Sequence, residues 1–277
     1  MTESPAYFVF DVESVADAQL VSKVHFDGKV PESEAIRKYR DELLAATDKD
    51  FIPYTFQFPV SVVIAKVAAD LSLMDVVALD EPHYRSHEIC DKFWRGWSAY
   101  RQPTLVSFNG RSFDVPLLEL AAFKYGISVP AWFAVTTKTF DQPRYRFNSK
   151  YHLDLYDVLT NSGLSRFNGG LNLVANMLGK PGKMGTQGYM VQDLYDAGEI
   201  QRINDYCKCD VLDTYFVFLR VNVLFGKINR REERKLVKNT KDWLTSKAES
   251  NEAFKQYLDN WGDWQNPWQD DDTETTA

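Results

Sequence analysis

The sequence predicts an α/β fold in which a mixed five-stranded sheet is flanked by helices. Three observations carry that prediction. Apolar, strand-like runs recur at residues 6–11, 59–67 and 71–79; strand and helix signals then alternate from 84 to 159; beyond 199 only helical periodicity remains. Two hairpin-linked strands beside a parallel β-α-β-α-β unit give a sheet of mixed direction with helices on both faces.

The elements follow in order. Residues 6–11 read as a short buried strand running straight out of the N-terminal MTESP. A polar, helix-prone insertion lies at about 28–50. The runs at 59–67 and 71–79 are separated by Ala69-Asp70, a turn that suggests a hairpin. Over 84–101, Ile89, Phe93 and Trp97 repeat at four-residue spacing on one helical face. Residues 104–108 form another strand, and 114–125 a helix that Gly126 is placed to end. Residues 137–151 make a basic, aromatic loop; 153–159 a strand running into a turn; 170–178 a short helix. A long helix is predicted over 199–225 and a charged helical extension over 230–261.

With 277 residues, 44% of them apolar and 14% aromatic, the chain can bury one substantial core. No apolar run reaches the length of a membrane span, and no secretory pattern opens the chain. Three cysteines, Cys90, Cys207 and Cys209, do not make a disulfide framework, and no second Cys/His pair accompanies Cys207-Lys-Cys209 to form a zinc site. A reducing cytoplasm is the expected location. The net charge of −7 is localised: residues 259–277 carry six acidic and no basic side chains, leaving 33 acidic against 32 basic elsewhere. A nearly neutral body argues against strong non-specific duplex binding through a broad basic face.

Three short motifs carry chemistry. In Asp11-Val-Glu13, alternation along a strand aims both carboxylates at one point, where they repel unless a cation sits between them. Oxygen-only ligands select hard divalent ions such as Mg²⁺ or Mn²⁺. In Asn109-Gly-Arg-Ser-Phe113-Asp114, Asp114 falls at a helix start, where capping is the competing explanation. In Tyr206-Cys-Lys-Cys-Asp210, a separation of four puts the phenol and the carboxylate on one helix face, about 6 Å apart at Cβ. Taken singly, each also fits a solvated strand end, a cap or an ordinary surface helix.

Together, in this order, the motifs resemble the DEDDy branch of the DnaQ-like 3′–5′ exonucleases: DxE, an Asn-x₂₋₃-(Phe/Tyr)-Asp segment and Tyr-x₃-Asp. The resemblance spans about residues 6–220 and is nearest to the exonuclease domain of family B DNA polymerases, here in stand-alone form. Residues 153–157 and 171–179 are similar to segments lying between the later motifs of those domains. The resemblance implies an RNase H-like fold, two divalent metal ions (Mg²⁺ or Mn²⁺), and catalytic Asp11, Glu13, Asp114, Tyr206 and Asp210. Asp11 would bridge both ions, with Glu13 and Asp210 on one and Asp114 serving the other. Tyr206 would orient the attacking water, and 5′-mononucleotides would leave.

Asn109 and Phe113 are candidate neighbours of the terminal nucleotide. Arg144, Arg146 and Lys150, with Lys138 and interleaved with Phe140, Tyr145 and Phe147, have the composition of a single-strand clamp. Lys180 and Lys183 are weaker candidates, and His152 reads as structural. The expected substrate is single-stranded DNA or a 3′ overhang, with a role in repair. An RNA-directed exonuclease and a non-catalytic nucleic-acid-binding module are the alternatives. The expected domains are an exonuclease unit at 1–226, a helical extension at 227–258 and a disordered acidic tail at 259–277. In that tail Trp261, Trp264 and Trp268 suggest a docking peptide for a protein partner.

Overall fold

A computed structural model describes residues 4–184 and 188–268. Its sheet has five strands, β1 (Tyr7–Ala16), β2 (Gln57–Val67), β3 (Leu73–Ala78), β4 (Thr104–Ser107) and β5 (His152–Asp154), in the order β3-β2-β1-β4-β5. The β1–β2 and β2–β3 pairs are antiparallel, while β1–β4 and β4–β5 are parallel. This is the mixed sheet the order of signals predicts.

The helices are α1 (Ala18–Leu20), α2 (Glu32–Thr47), α3 (Ser86–Ala99), α4 (Asp114–Tyr125), α5 (Pro130–Phe133), α6 (Leu155–Thr160), α7 (Gly170–Met177), α8 (Val191–Asp196), α9 (Ile200–Leu224), α10 (Arg230–Lys247) and α11 (Glu252–Asp259). None is long and apolar enough to cross a membrane.

The central strand β1 separates two cores by simple alternation. Phe8, Phe10 and Val12 face one way, into a cluster with Phe93, Trp94, Trp97 and Leu118 of α3 and α4. Val9 faces the other way, onto Leu212, Phe216 and Leu219 of α9. Asp11 and Glu13 continue the parity of Val9, so they point toward α9. Beyond β1 the insertion folds about its own small core, in which Ala16, Val21, Val30, Ala35, Tyr39 and Ile52 are buried. His25 stacks on Tyr39 at 3.8 Å between ring centroids.

Two expectations are corrected. The first strand does not stop at residue 11: it runs to Ala16, with a register shift between Glu13 and Ser14. The tail is not loose over 259–268. Trp261 packs edge-on against Phe216 at 5.2 Å, and Arg220 lies 4.3 Å over the Trp264 ring. Lys180 bonds the Gly262 carbonyl at 2.9 Å and sits 3.8 Å over the Trp261 ring. A Cβ on Gly179 would meet the Asp263 carbonyl carbon at 2.6 Å, so the two backbones touch there and no side chain fits between them. Residues 269–277 of that expected tail lie outside the described residues.

Candidate active site

β4 pairs with β1 only from Tyr7↔Thr104 to Val9↔Val106, after which β1 continues without it. The Val12 N–H, left free of that ladder, donates to Asp114 Oδ1 at 3.1 Å. Asp114 is the first residue of α4, yet it bonds across to β1 and makes no cap of its own helix. The turn into α4 is tight: a Cβ on Gly110 would lie 2.4 Å from Ser107 Oγ and 2.9 Å from Asp114 Oδ2.

Opposite them, α9 carries Tyr206 and Asp210 on one face, one helical turn apart. Cys207, the next residue, places Sγ 3.5 Å from the Asp11 carbonyl and 3.6 Å from Asp11 Oδ2. Ligand atoms of Asp11, Glu13 and Cys207 all lie within 4.8 Å of one another. Cys209 turns the other way, toward the Ala253 carbonyl at 3.8 Å, so the two thiols do not form a pair. Ser61, opposite Glu13 on β2, bonds Asn204 at 2.7 Å and ties α9 to the sheet beside the site.

The electrostatics follow from crowding. Burial pushes the Asp11 carboxyl up to about 7, and the Asp114 charge adds to it. Asp114 rises to about 7, again chiefly by burial. Asp210 rises to about 8 through burial and the charge on Asp11. Glu13 is pushed well above the carboxylate range by burial and then by Asp11, Asp210 and Asp114. Ligand oxygens of Glu13 and Asp11 lie within 4.8 Å of each other, a spacing that one cation can span. Apart from one thiol the donors are all oxygen, which suits a hard divalent ion. The residues therefore fit divalent metal ions with oxygen ligands. The Tyr206 phenol is itself pushed up by burial, then by Asp210 and Glu13, so it stays neutral.

The loop leading to Asp114 is held by a residue that sequence reasoning passed over. Buried Asp154 accepts from the Asn109 N–H and the Arg111 N–H, each at 2.8 Å, and from the Tyr156 N–H at 3.0 Å. These bonds hold Asn109 in a left-handed conformation, φ 66°, with its side chain exposed. Asp154 lay within a segment similar to the family, but its partners in the loop, Asn109 and Arg111, are more than forty residues away in sequence. His152 is buried against Ser107 Oγ at 2.8 Å, and burial with the Arg111 charge lowers it to about 3, so it is a neutral structural group.

The candidate clamp is not gathered at the carboxylates. Lys150 lies at the far end of the sheet: its carbonyl accepts from Thr104 Oγ1 at 2.7 Å, and Thr104 pairs with Tyr7, four residues before Asp11. That is about 13 Å of strand. Arg144 is engaged with Glu119 of α4 at 2.8 and 2.9 Å, and Arg146 lies over Phe147 at 4.8 Å. Composition marked the loop as basic and aromatic but could not say at which end of the sheet it sits. Lys180 is occupied by the C-terminal segment; exposed Lys183 is the cation whose charge reaches Asp210.

A family model described as a predicted 3′–5′ exonuclease related to the exonuclease domain of PolB matches residues 49–261, more than half of the chain. The match contains Asp114, Tyr206 and Asp210 and begins after Asp11 and Glu13. No curated protein matches the chain.

Proposed function

The chain belongs to the family of predicted 3′–5′ exonucleases related to the exonuclease domain of PolB, and on that premise we propose that it hydrolyses single-stranded nucleic acid, DNA by preference, from the 3′ end. The observation that carries this reading is the pairing of Asp11 and Glu13, ligand atoms within 4.8 Å, with Asp114 bonded to the Val12 N–H between them and Tyr206 and Asp210 on α9, which packs on the same strand.

The four carboxylates would hold two divalent ions, Mg²⁺ or Mn²⁺. Such ions, when bound, would supply the positive charge that offsets the charge developing on the phosphoryl oxygens and the departing 3′ oxygen. Tyr206, neutral and one helical turn from Asp210, orients the attacking water and does not take its proton. Water adds to phosphorus as the P–O3′ bond breaks; the leaving oxygen gains a proton and becomes the new 3′ hydroxyl. The released unit is a nucleoside 5′-monophosphate. Asn109, exposed beside the site, and Phe113, one residue before Asp114, would contact the terminal nucleotide.

A 5′-labelled single strand incubated with Mn²⁺ or Mg²⁺ tests the reading. A ladder shortening from the 3′ end, absent with EDTA and with Asp11→Asn, is expected. A strand left intact, with an RNA strand of the same sequence also left intact, would defeat it; cleavage of RNA alone would move the substrate preference to RNA.

A further inference from the structure

We propose that Phe51, at the end of the insertion, forms with Phe113 a wedge that receives the last two bases of the strand, Phe113 taking the terminal base and Phe51 the penultimate one. The proposal rests on the exonuclease reading and extends it to residues that the sequence motifs do not include.

Phe51 is 61% exposed, while its neighbours are fixed. Ile52, next in the chain, is buried in the core of the insertion at 5% exposure. The Ile52 carbonyl accepts from Gln57 Nε2, and Gln57 Oε1 accepts from Ser14 Oγ at 2.5 Å. Ser14 follows Glu13 at the register shift, so this chain of bonds links Phe51 to the carboxylate strand. Phe51 and Ser14 also line one small cavity of about 80 Å³, with Gln57 and Gln192. On its other side Phe51 meets Phe113 at 5.8 Å between centroids and 52° between planes, and Tyr54 backs Phe113 edge-on at 6.4 Å.

The geometry of the pair defines what it can bind. Two rings that sandwich a base must stand parallel and about 7 Å apart, twice the base-stacking distance. At 5.8 Å and 52° no base fits between them, so exposed Phe51 and half-buried Phe113 can each receive only a separate base. Bases on the two faces are splayed and cannot stay stacked or paired, so the last two nucleotides of a bound strand are unpaired. Phe113 adjoins Asp114 in sequence, which sets the order of the two bases along the strand.

The test is a cycle of protein and substrate changes, read as kcat/KM on oligothymidylate with Mn²⁺. One substrate is intact, one lacks the penultimate base and one lacks the terminal base. Phe51→Ala should cut kcat/KM on the intact strand about tenfold, the low end of what one base–ring stack contributes. On the strand without the penultimate base it should change nothing further, while on the strand without the terminal base the loss should persist. Phe51→Trp should restore the rate, and melting temperatures should match because the ring is exposed. A loss of equal size on all three substrates, or no loss on any, overturns the assignment while the exonuclease reading stands. A wild-type protein inert toward the intact strand and toward oligouridylate of the same length would overturn the exonuclease reading and this proposal with it.

Discussion

Asp154 is the residue on which loop geometry and activity most clearly hang together. Its carboxylate is 2% exposed; Oδ1 accepts from the Asn109 and Tyr156 N–H groups and Oδ2 from Arg111. Two effects oppose each other here. Burial raises the Asp154 pKa, and the backbone donors pull it back without cancelling the rise. A neutral isostere is therefore relieved of the charge's desolvation. Asp154→Asn with its oxygen at the Oδ1 position keeps two bonds and turns an NH₂ against the Arg111 N–H, a loss of about 1–2 kcal/mol. Asp154→Ala strands all three donors; at about 1 kcal/mol or more each, it should lose about 3–4 kcal/mol. Urea unfolding followed by tryptophan fluorescence reads both values. Because the freed loop carries Asp114 into the site, kcat should fall at least tenfold in the alanine variant and less in the asparagine one. An alanine variant within about 0.5 kcal/mol of wild type, or an asparagine variant worse than alanine, would refute this reasoning.

Three further outcomes are expected. Asp11 and Asp114 titrate near 7 and Asp210 near 8 in the folded metal-free protein, above their unfolded values. Their contribution to stability is thus complete below about pH 4 and is lost as pH rises through 7–8, so the metal-free melting temperature should decline over that window. Mg²⁺ or Mn²⁺ should restore it and release protons on binding; a flat profile with no metal effect would contradict the cluster. Tyr206→Phe should lower kcat about a hundredfold with little change in KM, and leave the pH profile between 6 and 9 in place because the phenol is neutral throughout. Tyr257→Phe removes the 2.6 Å donor to buried Asp213 and should destabilise the protein by about 1–3 kcal/mol in thermal unfolding.

What was legible in the sequence was what short periods encode. Two-residue alternation put Asp11 and Glu13 on one face of a strand, and four-residue spacing put Tyr206 and Asp210 on one face of a helix. The succession of apolar runs gave the mixed sheet, because connection rules leave few ways to pair a hairpin with two crossovers. What was not legible depended on contacts between distant segments. The bonds that make Asp154 a scaffold join it to residues 109 and 111. The tail reads as acidic and loose until Trp261 meets Lys180 and Phe216. Phe51 looks like one more aromatic near the end of a polar insertion until the fold sets it 5.8 Å from Phe113.

The central claim, that water cleaves the 3′-terminal phosphodiester at the carboxylate cluster, is tested most directly by the products formed in water enriched in the heavy oxygen isotope. The wild-type protein with Mn²⁺ should release nucleoside 5′-monophosphates bearing one heavy oxygen on phosphorus, and Asp210→Asn should release none. Nucleoside 3′-phosphates, internal fragments, or equal yields from the Asp210 variant would contradict it.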